Sequence, residues 1–389
     1  MTARLSPREI LEKLVGFPTV SRDTNLPLIA WVAAYLSSHG IDSHQHPKPG
    51  EPDTKAALFA HVGPRQAGGV VLSGHTDVVP VDGQTWSSDP FTLTERDGRL
   101  YGRGSTDMKG FDALAIWAMV EAHHRGLSTP LQLALSYDEE LGCMGGKDLA
   151  EAMVASDMPR ARSVIVGEPT MLKAVTGHKG GVNLWVHVHG VEVHSSILHT
   201  GVSAVMWGAK LIEWCNRVNA RNAAQVPGPV AKLFEPPYTN VHVGQISGGT
   251  AHNITARDCA FGVGFRVVPG EDADAWAQMF RDEAARLTLE MQAVCPEAWV
   301  EITPMFELPP LMPVQHNAAE ALVRQLTGDN GALQVSYGTE ASHFQAAGYD
   351  AVVCGPSDIA IAHKPDEYIE IAQIDAGQRF MERLLAHLA

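Results

Sequence analysis

Two histidines and a group of carboxylates stand where an α/β chain builds an active site. His75 and Asp77 follow the apolar run Val70–Gly74 in VVLSGHTDVVP, and Glu139 and Glu140 follow Leu131–Tyr137 in LQLALSYDEELG. Glu168 follows Val164–Gly167 in VIVGEPT, Asp107 precedes a helical stretch in YGRGSTDMKG, and His363 comes after Ala351–Cys354 in VVCGPSDIAIAHKPDEY. Ligands of an open parallel sheet collect outside the carboxyl ends of its strands, so residues this far apart in sequence can meet in one crevice. Nitrogen and oxygen donors without a thiol suit zinc, cobalt or manganese.

A single carboxylate after a strand is more often a helix cap or turn former. The coincidence of the whole set is what argues for chemistry. In His75-Thr76-Asp77 the carboxylate lies two residues from the imidazole, and the spacing predicts that it holds the second ring N–H and fixes the tautomer. Glu139 and Glu140 repel each other after a buried strand unless something positive lies between or beside them.

The elements that must position these groups fall into two textures. Helical signals at Pro7–Gly16, Leu26–Gly40, Phe111–Arg125 and Gly146–Ala155 alternate with strands near Ala56–Phe59, before His75, at 131–137 and at 163–167. That alternation predicts an α/β fold with a mixed sheet between helical layers. After Lys179, VNLWVHVHG alternates strictly, with Val182, Leu184, Val186 and Val188 on one face. Strands near Asn240–Gln245, Asp258–Val267 and Ala298–Met305 and helices at Ser203–Asn219 and Asp272–Leu289 follow. This predicts an inserted α+β domain over 180–306, a four-stranded antiparallel sheet with two helices on one face. The α/β texture returns with helix Asn317–Leu326 and strand Ala351–Cys354, so 1–179 and 307–389 are expected to form one catalytic domain.

Composition narrows the class. The 389 residues are 45% hydrophobic and 19% charged, a globular balance long enough for two domains. A formal charge of −15 with no basic tract argues against a nucleic-acid partner. Apolar runs are strand-length, which predicts no membrane span. The segment MTARLSPREILEKLVGF starts as a charged amphipathic helix, and Cys143, Cys215, Cys259, Cys295 and Cys354 form no CxxC. The first is unlike an apolar signal core, and the second fits free thiols in a reducing cytoplasm.

The segments GHTDVVP, YGRGSTDMKG, DEELG, GEPT, HSS, GGTAHNITA and AHKPDEY, in that order, resemble the M20 family of dinuclear-metal aminoacylases and peptidases. The resemblance covers essentially the whole chain. It implies two divalent ions, zinc or cobalt with manganese also admissible, bridged by Asp107. His75 and Glu168 would complete one site, Glu140 and His363 the other, with Glu139 as general base and Asp77 orienting His75. It also implies a homodimer formed through the inserted lid, in which His194 reaches the partner's active site. Asn253 and Arg266 stand at positions that contact substrate, and Lys179 where a basic group precedes the lid. Glu340, in GTEAS, is a candidate partner for a cationic substrate side chain, with a helix-start role as its alternative. Within the family, SYDEELGC, GEPT, HKGG, GTEAS and AHKPDEY are most similar to the branch that deacetylates an amino acid. Desuccinylases, general aminoacylases and dipeptidases are the alternatives, followed by a binding protein that kept the fold and lost catalysis. The implied chemistry is amide hydrolysis by a metal-activated water whose pKa falls toward ~7. A free glutamate then moves the proton to the departing nitrogen.

Overall fold

The computed structural model describes residues 3–331 and 333–389. It divides into two compact units. One consists of the chain up to Gly177 with Pro313–Leu333 and Thr339–Ala389; the other consists of His178–Met312 with Gln334–Gly338.

The first unit opens on α1 (Pro7–Val15). Ser6 accepts from the Glu9 N–H while the Glu9 side chain accepts from the Ser6 N–H, and Pro7 sits at a position that lacks a helical acceptor anyway. The helix buries Ile10, Leu11, Leu14 and Val15. It is followed by α2 (Leu26–Ser38), β1 (Ser43–Pro47), β2 (Ala56–Val62), β3 (Val70–His75), β4 (Thr94–Arg96) and β5 (Arg99–Tyr101). Next come α3 (Lys109–Arg125), β6 (Leu131–Ser136), α4 (Met144–Ala155), β7 (Ser163–Pro169) and β8 (Val175–His178).

The inserted elements are β9 (Gly180–His189), α5 (Ala204–Ala223), β10 (Asn240–Gly248), β11 (Asp258–Val267), α6 (Ala273–Gln292) and β12 (Trp299–Leu308). Their sheet runs β10-β11-β9-β12, and all of its pairings are antiparallel. Alternation decides the faces: Val182, Leu184, Val186 and Val188 of β9 join Cys259, Phe261, Val263 and Phe265 of β11 in a core with α5 and α6. The chain then forms α7 (Ala318–Thr327), β13 (Leu333–Val335), α8 (Ala341–Ala346), β14 (Asp350–Gly355), β15 (Tyr368–Glu370) and α9 (Ile371–Leu388).

The large sheet runs β1-β2-β6-β3-β7-β14-β8-β13. Its centre, β6-β3-β7-β14, is parallel, and the pairings β1–β2, β2–β6 and β14–β8 are antiparallel. From β3 the chain passes to β6 on one side and later to β7 on the other, so the strand order reverses next to β3, the place where such sheets bind ligands. Helix α3 is buried along nearly its whole length, which explains its weak amphipathic pattern. Its first turn lies directly on the strands. A Cβ on Gly167 would stand 1.9 Å from the Phe111 ring, and one on Gly74 2.1 Å from Asp112 Oδ1. The mixed α/β class and the four-stranded inserted sheet agree with the sequence reading. That reading contained no β1, no three-stranded β15-β5-β4 sheet, no α8 and no α9. Strand β1, SHQHP, is an edge strand with little apolar character. Helix α9 follows β15 with no side-chain cap to mark its start.

Candidate active site

His75 ends β3, Glu139 and Glu140 lie on the turn after β6, Glu168 is within the last residues of β7, and Asp107 precedes α3. His363 lies on the loop between β14 and β15. All six belong to the first unit. Left-handed backbone recurs in these turns and loops, at Asp138 (φ 53), Cys143 (φ 57), Ser357 (φ 68), His363 (φ 65) and Asp366 (φ 54). Such conformations cost of order 1–3 kcal/mol each outside glycine and cluster at functional sites.

Asp107 is the hinge of the cluster. Its Oδ1 is 3.0 Å from His75 Nε2 and its Oδ2 is 3.0 Å from His363 Nε2. His75 Nε2 is also 3.8 Å from a Glu168 oxygen, and His363 Nε2 is 3.2 Å from Glu140. Donor atoms of His75, Asp107 and Glu140, and of His75, Glu139 and Glu168, lie within 4.8 Å of one another.

Charge makes this arrangement demanding. Four carboxylates (Asp107, Glu139, Glu140 and Glu168) face two imidazoles; His75, Asp107 and Glu168 are buried, Glu139 and Glu140 partly so, and His363 is exposed. Burial, with Asp107 and Glu139 close by, pushes the Glu168 carboxyl well up. Burial, with Glu140 alongside, pushes Glu139 up to about 8. Burial opposes a charge on His75, yet the Asp107 hydrogen bond and the Glu139 and Glu168 charges hold the ring well above its ordinary value. Hydrogen bonds to Asp107 and Glu140 raise His363 to about 10. Asp107 is held low: burial opposes its charge, but the hydrogen bonds from His363 and His75 outweigh it. Ring protons thus stand where cations fit, and they do not balance the acids. Excess buried charge of this kind is costly unless a cation compensates it, so the donor set fits divalent ions.

The supporting contacts differ from the sequence expectation at Asp77. His75 Nδ1 donates to the main-chain carbonyl of Asp77 at 2.9 Å, whereas the nearest Asp77 carboxylate oxygen is 3.7 Å away. That carboxylate instead accepts from Ser21 Oγ at 2.6 Å, Glu139 N at 3.1 Å and Glu140 N at 3.4 Å. Asp77 therefore orients the ring through its backbone and the Glu139–Glu140 turn through its side chain. Behind it lie residues the sequence reading did not single out. Buried Lys55 donates to the Ser21 carbonyl and to Asp138, and Lys48 reaches Asp138 at 2.9 Å. Cys143 Sγ–H donates to Glu139 Oε1 at 3.0 Å. The position of Asp138 beside the glutamate pair was a usable signal; Ser21 and Lys55 offered none.

Glu340 is fully buried in the first unit, with its oxygens accepting from Ser73 Oγ at 2.7 Å and Ser136 Oγ at 2.6 Å. Both oxygens are engaged with β3 and β6, and Glu340 stands at the start of α8, the place that its helix-start alternative gives it. In the second unit, Lys179 is also fully buried. Its Nζ donates to the carbonyls of Pro236 and Tyr238 at 2.8 Å, so it braces that loop rather than offering a free cation. Burial lowers it to about 8. His194 is exposed at the start of the turn Ser195–Thr200, where its Nδ1 accepts from the Ser196 N–H at 3.2 Å. That contact assigns the ring proton to Nε2 and leaves a donor facing outward. Asn253 is exposed and its carbonyl accepts from the Ser195 N–H at 2.9 Å; Arg266 is exposed on β11.

The sequence profile of peptidase family M20/M25/M40 matches residues 71–387. The acetylornithine deacetylase of Myxococcus xanthus is 34% identical over 385 residues, covering 98% of this chain and 97% of that protein. The acetylornithine deacetylase of Proteus mirabilis is 32% identical over 384 residues, covering 97% and 95%. Among solved structures, an M20 family metallo-carboxypeptidase of Sulfolobus solfataricus superposes with a TM-score of 0.79 at 17% identity, covering 98% of each chain, a likeness of fold. No helix among the described residues is long and apolar enough to cross a membrane. The chain belongs to peptidase family M20/M25/M40 and is a metal-dependent hydrolase.

Proposed function

We propose that this chain hydrolyses the amide bond of N-acetyl-L-ornithine to acetate and L-ornithine, a step of arginine biosynthesis. The observation that carries the reading is Asp107, whose two oxygens each meet a different imidazole inside a buried cluster with too many carboxylates. The substrate rests on the names of the two relatives, which span nearly the full length of the chain.

Asp107 would lie between two divalent ions, zinc or cobalt, with His75 and Glu168 on one and Glu140 and His363 on the other. Such ions, when bound, polarise an acyl carbonyl and make water acidic enough to attack near neutral pH. Glu139 takes the proton of the attacking water and returns it to the departing nitrogen, because an amine leaves readily only when protonated. Glu139 lies beside the proposed ligands His75, Glu140 and Glu168, within reach of a water held there. Cys143 holds one Glu139 oxygen and Asp77 holds the backbone of the turn, so the shuttle keeps one direction. The outward Nε2–H of His194 donates to the acyl oxygen as negative charge develops, a contribution of ~2.7–4 kcal/mol for a comparable donor. Arg266 and Asn253 hold the substrate's carboxylate. Segment 180–306 serves as the lid and dimerisation domain, and 1–179 with 307–389 as the catalytic domain, of a cytoplasmic homodimer.

A panel of N-acetyl and N-succinyl amino acids and dipeptides tests the assignment. The expected result is the highest kcat/KM on N-acetylornithine. A higher value on succinyl-diaminopimelate, with none on acetylornithine, would make the chain a desuccinylase; turnover of dipeptides alone would make it a dipeptidase.

A further inference from the structure

The face of the second unit's sheet opposite its helices carries a second imidazole–carboxylate cluster, made of residues that the proposed hydrolysis does not use. Residues two apart on a strand share a face, and β9 places His187 and His189 on the side away from the α5–α6 core. Glu301 of β12 pairs in register with His187, and Asp258 of β11 and Trp299 of β12 pair with His189. One ring nitrogen of each histidine and one oxygen of Glu301 lie within 4.8 Å of one another. His189 Nε2 is 3.1 Å from Glu301 Oε2, and His187 Nε2 is 3.0 Å from Asp258 Oδ1. The other Asp258 oxygen accepts from Arg257 Nε at 3.1 Å, which fixes the direction of that carboxylate. Trp299 stacks on His189 with ring centroids 4.6 Å apart and planes 11° from parallel, so that ring is held in place as well.

We propose that His187, His189 and Glu301, with Asp258 beside them, form a mononuclear site for a first-row divalent ion of the zinc, nickel or copper class. Two imidazoles and a carboxylate are the donors these ions prefer, whereas magnesium and calcium take oxygen sets. Side-chain exposures of 27% to 47% leave the site open to ions from solvent and leave room for water ligands. Three side chains on two neighbouring strands would be tied by one ion, so occupancy braces β9 against β12 at that end. The site shares no residue with the cluster around Asp107, which belongs to the other unit.

The test is equilibrium dialysis of chelator-stripped full-length protein against Zn2+, with bound metal counted. His187→Ala/His189→Ala is expected to bind one equivalent fewer than the parent while keeping its hydrolytic rate. His75→Ala/His363→Ala is expected to lose the equivalents of the catalytic cluster and retain this one, which separates the two sites. Glu301→Gln, a milder change on the same face, is expected to weaken the retained equivalent at least tenfold. Equal metal counts for the parent and the His187/His189 variant would overturn the proposal. So would a His75/His363 variant that binds none.

Discussion

The two units each gather imidazoles and carboxylates, and they hold them by opposite means. Around Asp107 the side chains of His75, Asp107, Glu168 and Glu140 are 0%, 6%, 5% and 9% exposed; His75 and Glu168 end parallel strands, Glu140 lies on the turn after β6, and Asp107 precedes α3. On the second unit, His187, His189, Asp258 and Glu301 sit half-open on regular antiparallel strands, placed by register alone. Burial separates the two. An ion pair open to water is worth about 0–1 kcal/mol and leaves its members free to exchange partners. Buried carboxylates in excess of their cations raise the free energy of the fold until something positive arrives. The first cluster therefore combines chemistry with strain, and the second can only bind.

The largest effect that sharpens this contrast is at Glu139. Glu139→Gln keeps the size and the turn but cannot accept a proton, so kcat should fall by ~10²–10⁴ with metal content unchanged. A fall of less than threefold would remove Glu139 from its role. Next is the buried support. Lys55→Met strips Asp138 of one of its two lysines; breaking a buried pair costs about 3–5 kcal/mol, and the remaining Lys48 keeps the loss near the lower figure. Urea unfolding would show it, and a stability within error of the parent would mean that the turn does not depend on Lys55.

A smaller, graded effect follows from the proton on His363. Its value in the folded chain, about 10, lies above the ordinary 6.5. Its contribution to stability is therefore fully present below about pH 6.5 and fades as pH rises through 10. At neutral pH the ring is charged, and a metal ion must displace that proton. Affinity should strengthen with pH by about tenfold per unit for each proton released. Calorimetry of zinc binding in buffers of different ionisation enthalpy measures the release; heats that do not depend on the buffer would contradict it. The smallest effect belongs to the open cluster: without metal, Glu301→Gln should change stability by less than about 1 kcal/mol. A larger thermal shift would show that the His189–Glu301 pair is structural.

The same contrast explains what the sequence exposes. Parallel strands buried on both faces read as apolar runs, and the candidate ligands stand out because they end those runs: His75 after Val70–Gly74, Glu168 after Val164–Gly167. The inserted sheet reads through its alternation, as in Val182 to Val188. Contacts that depend on the assembled interior do not read. Ser21, Lys55 and Asp138 meet across gaps of 34 and 83 residues, and no local pattern announces them. Lys179 and Glu340 sit beside family-like segments and read as exposed charges, yet both are enclosed by partners from other elements. Asp77 misleads for a related reason: the chain turns after β3, so a spacing of two brings the carbonyl rather than the carboxylate to His75.

The most direct test of the account is the release of ornithine from N-acetylornithine by protein stripped of metal with a chelator, before and after zinc or cobalt is restored. Negligible turnover when stripped, recovered on adding either ion, is the predicted result. Turnover that survives stripping, or an enzyme that takes up its metal and still leaves the amide intact, would contradict it.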